Sequence, residues 1–520
     1  MAQPETAGLS FRGGALGAIA PLLLFLAGVV WLGLSGAPAE AGFWPILVAA
    51  LTLGLLLCRE RHAYAESVIE GTSQSIVMVM VMAWLLAGML GEVMKETGFV
   101  EALVWLAHSA GVGDVGWILT SFLIASVVST STGTSLGTIV LCAPLLYPAG
   151  GALGANPAVL MGAILGGATF GDNISPVSDT TIASTVTQGA RMGDVVRSRL
   201  RYALPAALMA MVAYAWFAAG RGGDAEALSD PSIYSPEGLP MVAAPLLVVV
   251  LLFRHHHLLE GLLYGVLAAV VIGLGFGLVT PSELFFPNAA TYSAEGALVV
   301  GMRRGVGVSI FTVLLMGLVA TLEASGVLGR LLSVAERRIH SPRSAEWWAF
   351  GTVSAATLAT THSVVALLTV GRFVRETGAR QGIDPRRRAN ILDVTVCTYP
   401  FLLPYCIPTM LAASTTSSGP AFGMPVLTPF EIGLVNFHSW ALLAVVLLAI
   451  LTGWGRRLVP AAEPEEATPD SDHTVVIAAS DVPDPSPSVF DETERIQVDG
   501  LGVGGSDGGS TDGDSRGGGA

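Results

Sequence analysis

Two carboxylates in an apolar setting are the residues best placed to do chemistry. Asp172 and Asp179 both fall in the stretch 157–189, which is otherwise uncharged and largely apolar in its first half. On insertion scales a carboxylate at the centre of a membrane helix costs about 2.5–3.5 kcal/mol, so two in one span need compensation. Gly171 and Pro176 flank or separate them, and a proline inside a helix interrupts its hydrogen-bond ladder, so the span is expected to be broken there. A break frees backbone carbonyls, and Asn173, Ser175, Ser178, Thr180 and Thr181 add side-chain oxygens. Carboxylate, hydroxyl and carbonyl oxygens together suit a hard monovalent cation such as Na⁺. The same carboxylates can take up protons, because burial and mutual repulsion favour the protonated form. Na⁺ held at Asp172 and Asp179 in competition with H⁺ would give antiport if access alternates between the two sides. The structural alternative is that an aspartate caps a half-helix starting near Thr180 or Thr181.

The rest of the chain supplies the elements that must hold this site. Of 520 residues, 52% are hydrophobic and 13% charged, against about 25% charged in soluble domains. Apolar runs near the roughly 20 residues that cross a bilayer recur along the chain. Spans are expected near 15–35, 43–58, 74–94, 157–189, 200–219, 239–253, 257–279, 305–323, 388–413 and 430–454, with two further stretches at 115–148 and 346–371. No cleavable leader is convincing, and the first apolar run reads as a transmembrane helix. The basic residues cluster in alternate loops, while 222–238 and 280–297 have none. The positive-inside rule then places both termini in the cytoplasm.

Segment 346–371 has arginines at both ends, so it begins and ends on one side and reads as a re-entrant hairpin. Its tip is Thr360-Thr361-His362-Ser363. The halves align at a shift of 228 residues: Thr97-Gly98 on Ser325-Gly326, Thr132 on Thr360, and Pro176 on Pro404. By that symmetry 115–148 is a hairpin whose tip holds Thr132, Thr134 and Ser135. Pro400, Pro404 and Pro408 break the symmetry partner of the Asp172 segment. The expected fold is therefore an all-α polytopic membrane protein with about 10–12 transmembrane segments. It has two inverted-topology repeats, broken helices and re-entrant hairpins. Its parts are a cytoplasmic N-terminus at 1–14, a first repeat at 15–220, a second at 239–455 and an acidic tail at 460–520.

Other polar residues have two readings each. Asp393 is either a second ion or proton site or a partner for nearby arginines. His362, at a hairpin tip, is either a pH sensor or a hydrogen-bonded structural histidine. Glu92, Lys95 and Glu96 read as an ordinary interfacial helix end, and Glu323 as facing the headgroups. The histidine run that ends at His256 and His257 reads as interfacial rather than metal-binding. The four cysteines show no metal or disulfide spacing and read as core residues. The net charge of −14 is concentrated in the tail, where fourteen acidic residues from Glu463 onward face only Arg495 and Arg516. That tail is expected to be disordered. Lys95 is the single lysine, and with the acidity it suits a host with a salt-rich cytoplasm.

Gly171-Asp172 through Ser175-Pro176, followed by Ser178-Asp179-Thr180-Thr181, resembles the signature of the NhaC-type Na⁺/H⁺ antiporters of the ion transporter superfamily. Thr132-Gly133-Thr134-Ser135 with Gly137-Thr138 is similar to that family's first hairpin motif. The likeness extends in organisation over about residues 40–455. It implies Na⁺/H⁺ exchange, with Asp172, Ser175, Ser178, Asp179 and Thr180 as ion-site residues and Thr132, Thr134 and Ser135 lining a hairpin. Similar family members exchange organic anions such as malate and lactate, or carry amino acids, which is the alternative. The second hairpin departs from the pattern in being apolar after Ser363, from Val364 to Leu368. No His-Glu-x-x-His occurs, and the Gly-x-Ser-x-Gly spacings fall in the hairpin motif at Gly133 to Gly137 and in the glycine-rich tail, which disfavours a membrane-embedded enzyme. The expected partners are the lipid bilayer, Na⁺ and H⁺, without resident cofactor or nucleic acid. A homodimer is compatible with the scaffold, although no interface is legible.

Overall fold

In the computed structural model, the described residues are 8–35, 40–219, 235–254, 256–289 and 292–460; the expected disordered tail at 461–520 lies outside them, as do most of the loop 222–238 and His255. Three helices come first: α1 (Ala15–Leu34), α2 (Glu40–Leu57) and α3 (Arg61–Thr72). The first half follows as α4 (Ser75–Glu96), α5 (Phe99–Ser109), α6 (Asp114–Thr132), α7 (Ser135–Ala152), α8 (Pro157–Ile174), α9 (Asp179–Gln188) and α10 (Met192–Ala218). Between the halves lie α11 (Ala243–Phe253), α12 (Leu258–Gly275), α13 (Pro281–Leu284) and a hairpin of β1 (Phe286–Asn288) with β2 (Ser293–Glu295). The second half is α14 (Ala297–Ala324), α15 (Val327–Glu336), α16 (Pro342–Thr360), α17 (Ser363–Arg380), α18 (Pro385–Val396), α19 (Ile407–Thr415), α20 (Pro429–Leu434) and α21 (Phe437–Thr452).

The 228-residue shift recurs in the helix boundaries. Moved by 228, α6 coincides with α16 and α7 with α17 at both ends. Both α8 and α18 start on a proline after a side-chain cap: Asn156 accepts from Val159 N and Asp384 from Arg386 N. Proline suits the first helical position because its missing N–H has no partner there. Left-handed residues repeat at the same interval, with Gly98 and Gly326 at φ 74° and 65° and Gly133 and Thr361 at 68° and 54°.

The mates α4 and α14 pack directly on each other, and they run antiparallel. Gly88 lies against the carbonyl of Gly301, while Gly305 lies against that of Trp84, so position rises along one helix as it falls along the other. The two halves are thus inverted. Glycines permit this approach, as small residues do where membrane helices cross closely. A Cβ at Gly88 would lie 2.2 Å from the Gly301 carbonyl oxygen, which is backbone and cannot swing away. Gly88→Ala is expected to lower stability by about 1–3 kcal/mol, the usual range for overpacking. Thermal unfolding in detergent checks this; an unchanged midpoint would mean that the helices separate freely here.

The outer surface is apolar. On α10, Leu204, Leu208, Val212 and Trp216 are exposed at four-residue spacing, while Ala203, Ala206, Ala210 and Tyr214 are buried. A helix apolar on both faces fits lipid rather than water as its outer solvent. Among the described residues, seven helices are long and apolar enough to cross a membrane unbroken. The shortfall against 10–12 segments arises because α2, α11 and α21 are shorter apolar helices and because breaks divide the segments at α8–α9 and α18–α19.

Several expectations are corrected. α10 begins at Met192, not near Leu200, so Arg197, Arg199 and Arg201 are helical rather than loop residues. The last span is two helices, α20 and α21, parted at Val435 and Asn436, where the Asn436 amide donates to Phe401 O at 2.9 Å. Glu92 is buried, not interfacial, and pairs with Arg304 at 2.7 Å and Lys95 at 3.2 Å. Arg387, from the loop cluster, is buried against Glu346, and Arg456 bonds the same carboxylate at 2.6 Å. In each case a buried charge has gathered its opposite, since an isolated one would be far costlier. All four cysteines are buried and free.

Candidate ion-binding site

α8 ends at Ile174, the chain is extended at Ser175, and α9 restarts at Asp179, so the first-half helix is broken where Gly171 and Pro176 suggested. Gly171 itself remains helical. Its role is contact: a Cβ there would lie 2.5 Å from the carbonyl oxygen of Ser126, on α6. Close packing of α8 on α6 leaves Asp172 facing the break. The Asp172 carboxylate is nearly buried and accepts a hydrogen bond from Ser178 Oγ at 2.6 Å. Ser178 Oγ in turn lies 3.0 Å from Thr180 Oγ1. No basic side chain forms an ion pair with Asp172 among the described residues. Ser178 occupies the N-cap position of α9 without a side-chain cap bond, and Asp179 is the first helical residue. There a negative charge meets the positive end of the helix dipole, but Asp179 is exposed and remains open to other partners.

Both hairpins reach this region. The α6–α7 tip turns at Gly133, and Thr134 caps α7 by accepting from Gly137 N. A Cβ at Gly133 would lie 2.7 Å from Val177 O, so the tip sits directly on the α8–α9 break. The α16–α17 tip turns at Thr361, and Ser363 Oγ donates to Val396 O at 3.2 Å, where α18 ends. Each tip therefore meets a break. A cavity of about 590 Å³ lies between them, lined by Asp172, Ser178, Asp179 and Thr180, by Thr132, Thr134 and Ser135, and by Thr361, His362 and Ser363. Thr132 Oγ1 and His362 Nδ1 have no hydrogen-bond partner among the described residues. His256 and His257 line the cavity as well, a position the interfacial reading did not anticipate.

Ser175, Asn173 and Asp393 are absent from that lining. Asp393 is fully buried behind it and forms an ion pair with Arg199 at 3.1 Å, both side chains having zero exposure. Asn173 Nδ2 donates to Asp393 Oδ1 at 3.0 Å and Ser184 Oγ to Oδ2 at 2.9 Å. The same guanidinium donates to the Asn173 carbonyl at 2.7 Å and to Thr181 Oγ1 at 2.6 Å. Arg199 thus takes up a carbonyl that the end of α8 leaves without a helical partner. Of the two readings of Asp393, its geometry is that of arginine pairing. Arg199 was missed in the sequence because it lay in a basic cluster assigned to a loop. Its signal was helical spacing, since Val195, Arg199, Tyr202 and Ala206 share one face, and all four are buried.

Thr361 is a β-branched residue at φ 54°, a conformation that costs roughly 1–2 kcal/mol for residues bearing a Cβ. Its repeat mate, Gly133, has no such strain. Thr361→Gly is expected to raise stability by about 1 kcal/mol, read by thermal unfolding. A loss instead would show that the threonine side chain, which donates to Thr360 O at 2.7 Å, outweighs the strain.

A family model described as the Na⁺/H⁺ antiporter family matches residues 14–219 and 233–420, which include both hairpins and both broken helices. The chain belongs to the Na⁺/H⁺ antiporter family. Within this antiporter family, the chain is 25% identical over 312 residues to a Na⁺/H⁺ antiporter NhaC from Alkalihalophilus pseudofirmus, covering 57% of the chain and 66% of that protein, a little under two thirds of its length. It is 25% identical over 338 residues to a malate-2H⁺/Na⁺-lactate antiporter from Bacillus subtilis, covering 62% of the chain and 70% of that relative. A second NhaC Na⁺/H⁺ antiporter, also from Bacillus subtilis, is 22% identical over 295 residues. The chain is a multi-pass membrane protein of a transporter family, as the resemblance implied.

Proposed function

We propose that this antiporter-family chain exchanges Na⁺ for H⁺ at Asp172, with Ser178, Thr180 and Asp179 supplying further oxygens. One contrast carries the reading. Of two buried intramembrane aspartates, Asp393 is neutralised by Arg199 and Asp172 by no basic side chain among the described residues. A buried carboxylate without a counter-charge is costly. Asp172 therefore calls for a proton or a small cation, and these two ligands exclude each other at one carboxylate. The adjoining cavity gives ions and water a route to it. His256 and His257, beside Arg254 where the positive-inside rule points to the cytoplasm, are among its lining, which supports reading the arrangement as an inward-facing state. Moving the hairpin tips against the two breaks would expose the same carboxylate to the other side, as alternating access requires. In this reading both termini are cytoplasmic, a homodimer is compatible with the scaffold, and the lysine-poor, acidic composition reflects a salt-rich host.

The malate/lactate relative favours a second reading, in which an organic anion is exchanged on the same scaffold. Such a substrate needs a cation or free donors. Arg199 is sealed and committed to Asp393, and Arg372 is exposed and bonds Glu376. That leaves His256, His257 and His362 as the basic residues lining the cavity among the described residues. The test is purified protein in proteoliposomes with a trapped pH dye and an imposed pH gradient. Added Na⁺ is expected to move protons. No response to Na⁺, with exchange of malate, lactate or an amino acid instead, would transfer the function to the organic-solute branch.

A further inference from the structure

Three chain segments that are distant in sequence converge on a cleft of about 270 Å³, separate from the ion cavity. The start of α10 brings Arg197 and Arg201, the start of α18 brings Arg386 and Arg387, and the segment after α21 brings Arg457, against only Asp194 and Asp384. Two of these arginines are engaged: Arg386 with Asp384 at 2.6 Å, and Arg387 with Glu346 at 2.9 Å. Arg197, Arg201 and Arg457 have no side-chain hydrogen bond or ion pair among the described residues. Arginines that merely keep a helix end in the cytoplasm have no reason to share one concavity. Like charges gathered in a cleft repel one another, and an anion would relieve that repulsion. Guanidinium groups match tetrahedral oxyanions well, because each presents paired donors to two oxygens. The cleft, at about 270 Å³, has room for a phosphate group with its waters.

We propose that this cleft, between the starts of α10 and α18 and the segment 455–457, binds a phosphate group, carried by a free anion or by the headgroup of an anionic phospholipid. Basic pockets between helices on the cytoplasmic side are a recurrent setting for such headgroups. Asn390, which lines the cleft, connects it to the buried Arg199–Asp393 pair behind the ion cavity. Asn390 Nδ2 donates to Ser198 Oγ at 2.7 Å, and Asn390 Oδ1 accepts from Arg199 Nε at 3.2 Å. Occupancy therefore bears, through one side chain, on the arginine that pairs with Asp393.

The test uses the full chain, purified in detergent, with inorganic phosphate titrated at constant ionic strength and thermal unfolding as the readout. Phosphate is expected to raise the midpoint saturably. Arg197→Gln combined with Arg457→Gln is expected to weaken the apparent affinity about tenfold or more, and Arg372→Gln, exposed on α17, to leave it unchanged. Should the double variant fold poorly, Arg457→Gln alone, beyond the last helix, is expected to weaken it in the same direction. Nanodiscs separate the two carriers. A phosphate effect seen in phosphatidylcholine but lost in phosphatidylglycerol identifies the lipid headgroup, and an effect retained in both identifies the free anion. No phosphate-dependent shift in any preparation, or a shift undiminished in the arginine variants, overturns the proposal.

Discussion

Asp172→Asn is expected to abolish Na⁺-dependent proton movement in proteoliposomes, at least about 100-fold below the parent, while the protein folds normally. An amide has nearly the same volume as the carboxylate and can still accept from Ser178 Oγ, so the packing at the break survives. It holds neither a titratable proton nor a charge, so both exchanging ligands lose their anchor. Stability separates this from a structural role. Because the carboxylate has no cationic partner among the described residues, replacing it removes a buried charge, and the unfolding midpoint should stay level or rise. A purely structural aspartate would give the reverse: lower stability and residual exchange. Retained exchange in folded Asp172→Asn would remove this residue from the mechanism.

Asp393→Asn is expected to act mainly on the fold. It leaves Arg199 charged with zero exposure and no anion. Removing one member of a buried pair in this way costs about 3–5 kcal/mol, visible as a large fall in the midpoint or loss of monodisperse protein. Adding Arg199→Gln removes the orphaned charge while both amides keep hydrogen-bonding capacity, so the double variant should recover more than half of the loss. Failure to recover would mean that the Arg199 bonds to the Asn173 carbonyl and Thr181, rather than the ion pair, hold the α8–α9 break. Na⁺-coupled proton movement in the folded double variant confines Asp393 to support. Its loss there, with folding restored, assigns Asp393 a second ion or proton site.

Much of this molecule is written locally. Apolar runs, prolines at helix starts and glycines at turns depend on a few neighbouring residues, and so the hairpins, the breaks and the 228-residue repeat were legible. So was the Asp172 segment, because carboxylates and a proline within an apolar run conflict with an ordinary span and need no knowledge of the rest of the chain. The charges were not legible in the same way. Arg199, Arg387 and Glu346 sit in polar stretches that look solvated, and only the packing of α10, α16, α18 and the segment after α21 buries them. Whether a charge is buried, and which opposite charge it meets, depends on residues about 40 to 190 positions away, as in Glu346 with Arg387 and Arg199 with Asp393. The sequence by itself determined the hairpins, the break after Asp172 and the repeat, since those follow from short-range sterics and apolar patterning. Only the tertiary structure decided that Asp393 is neutralised and Asp172 is not, because that depends on which side chains two inverted halves bring together.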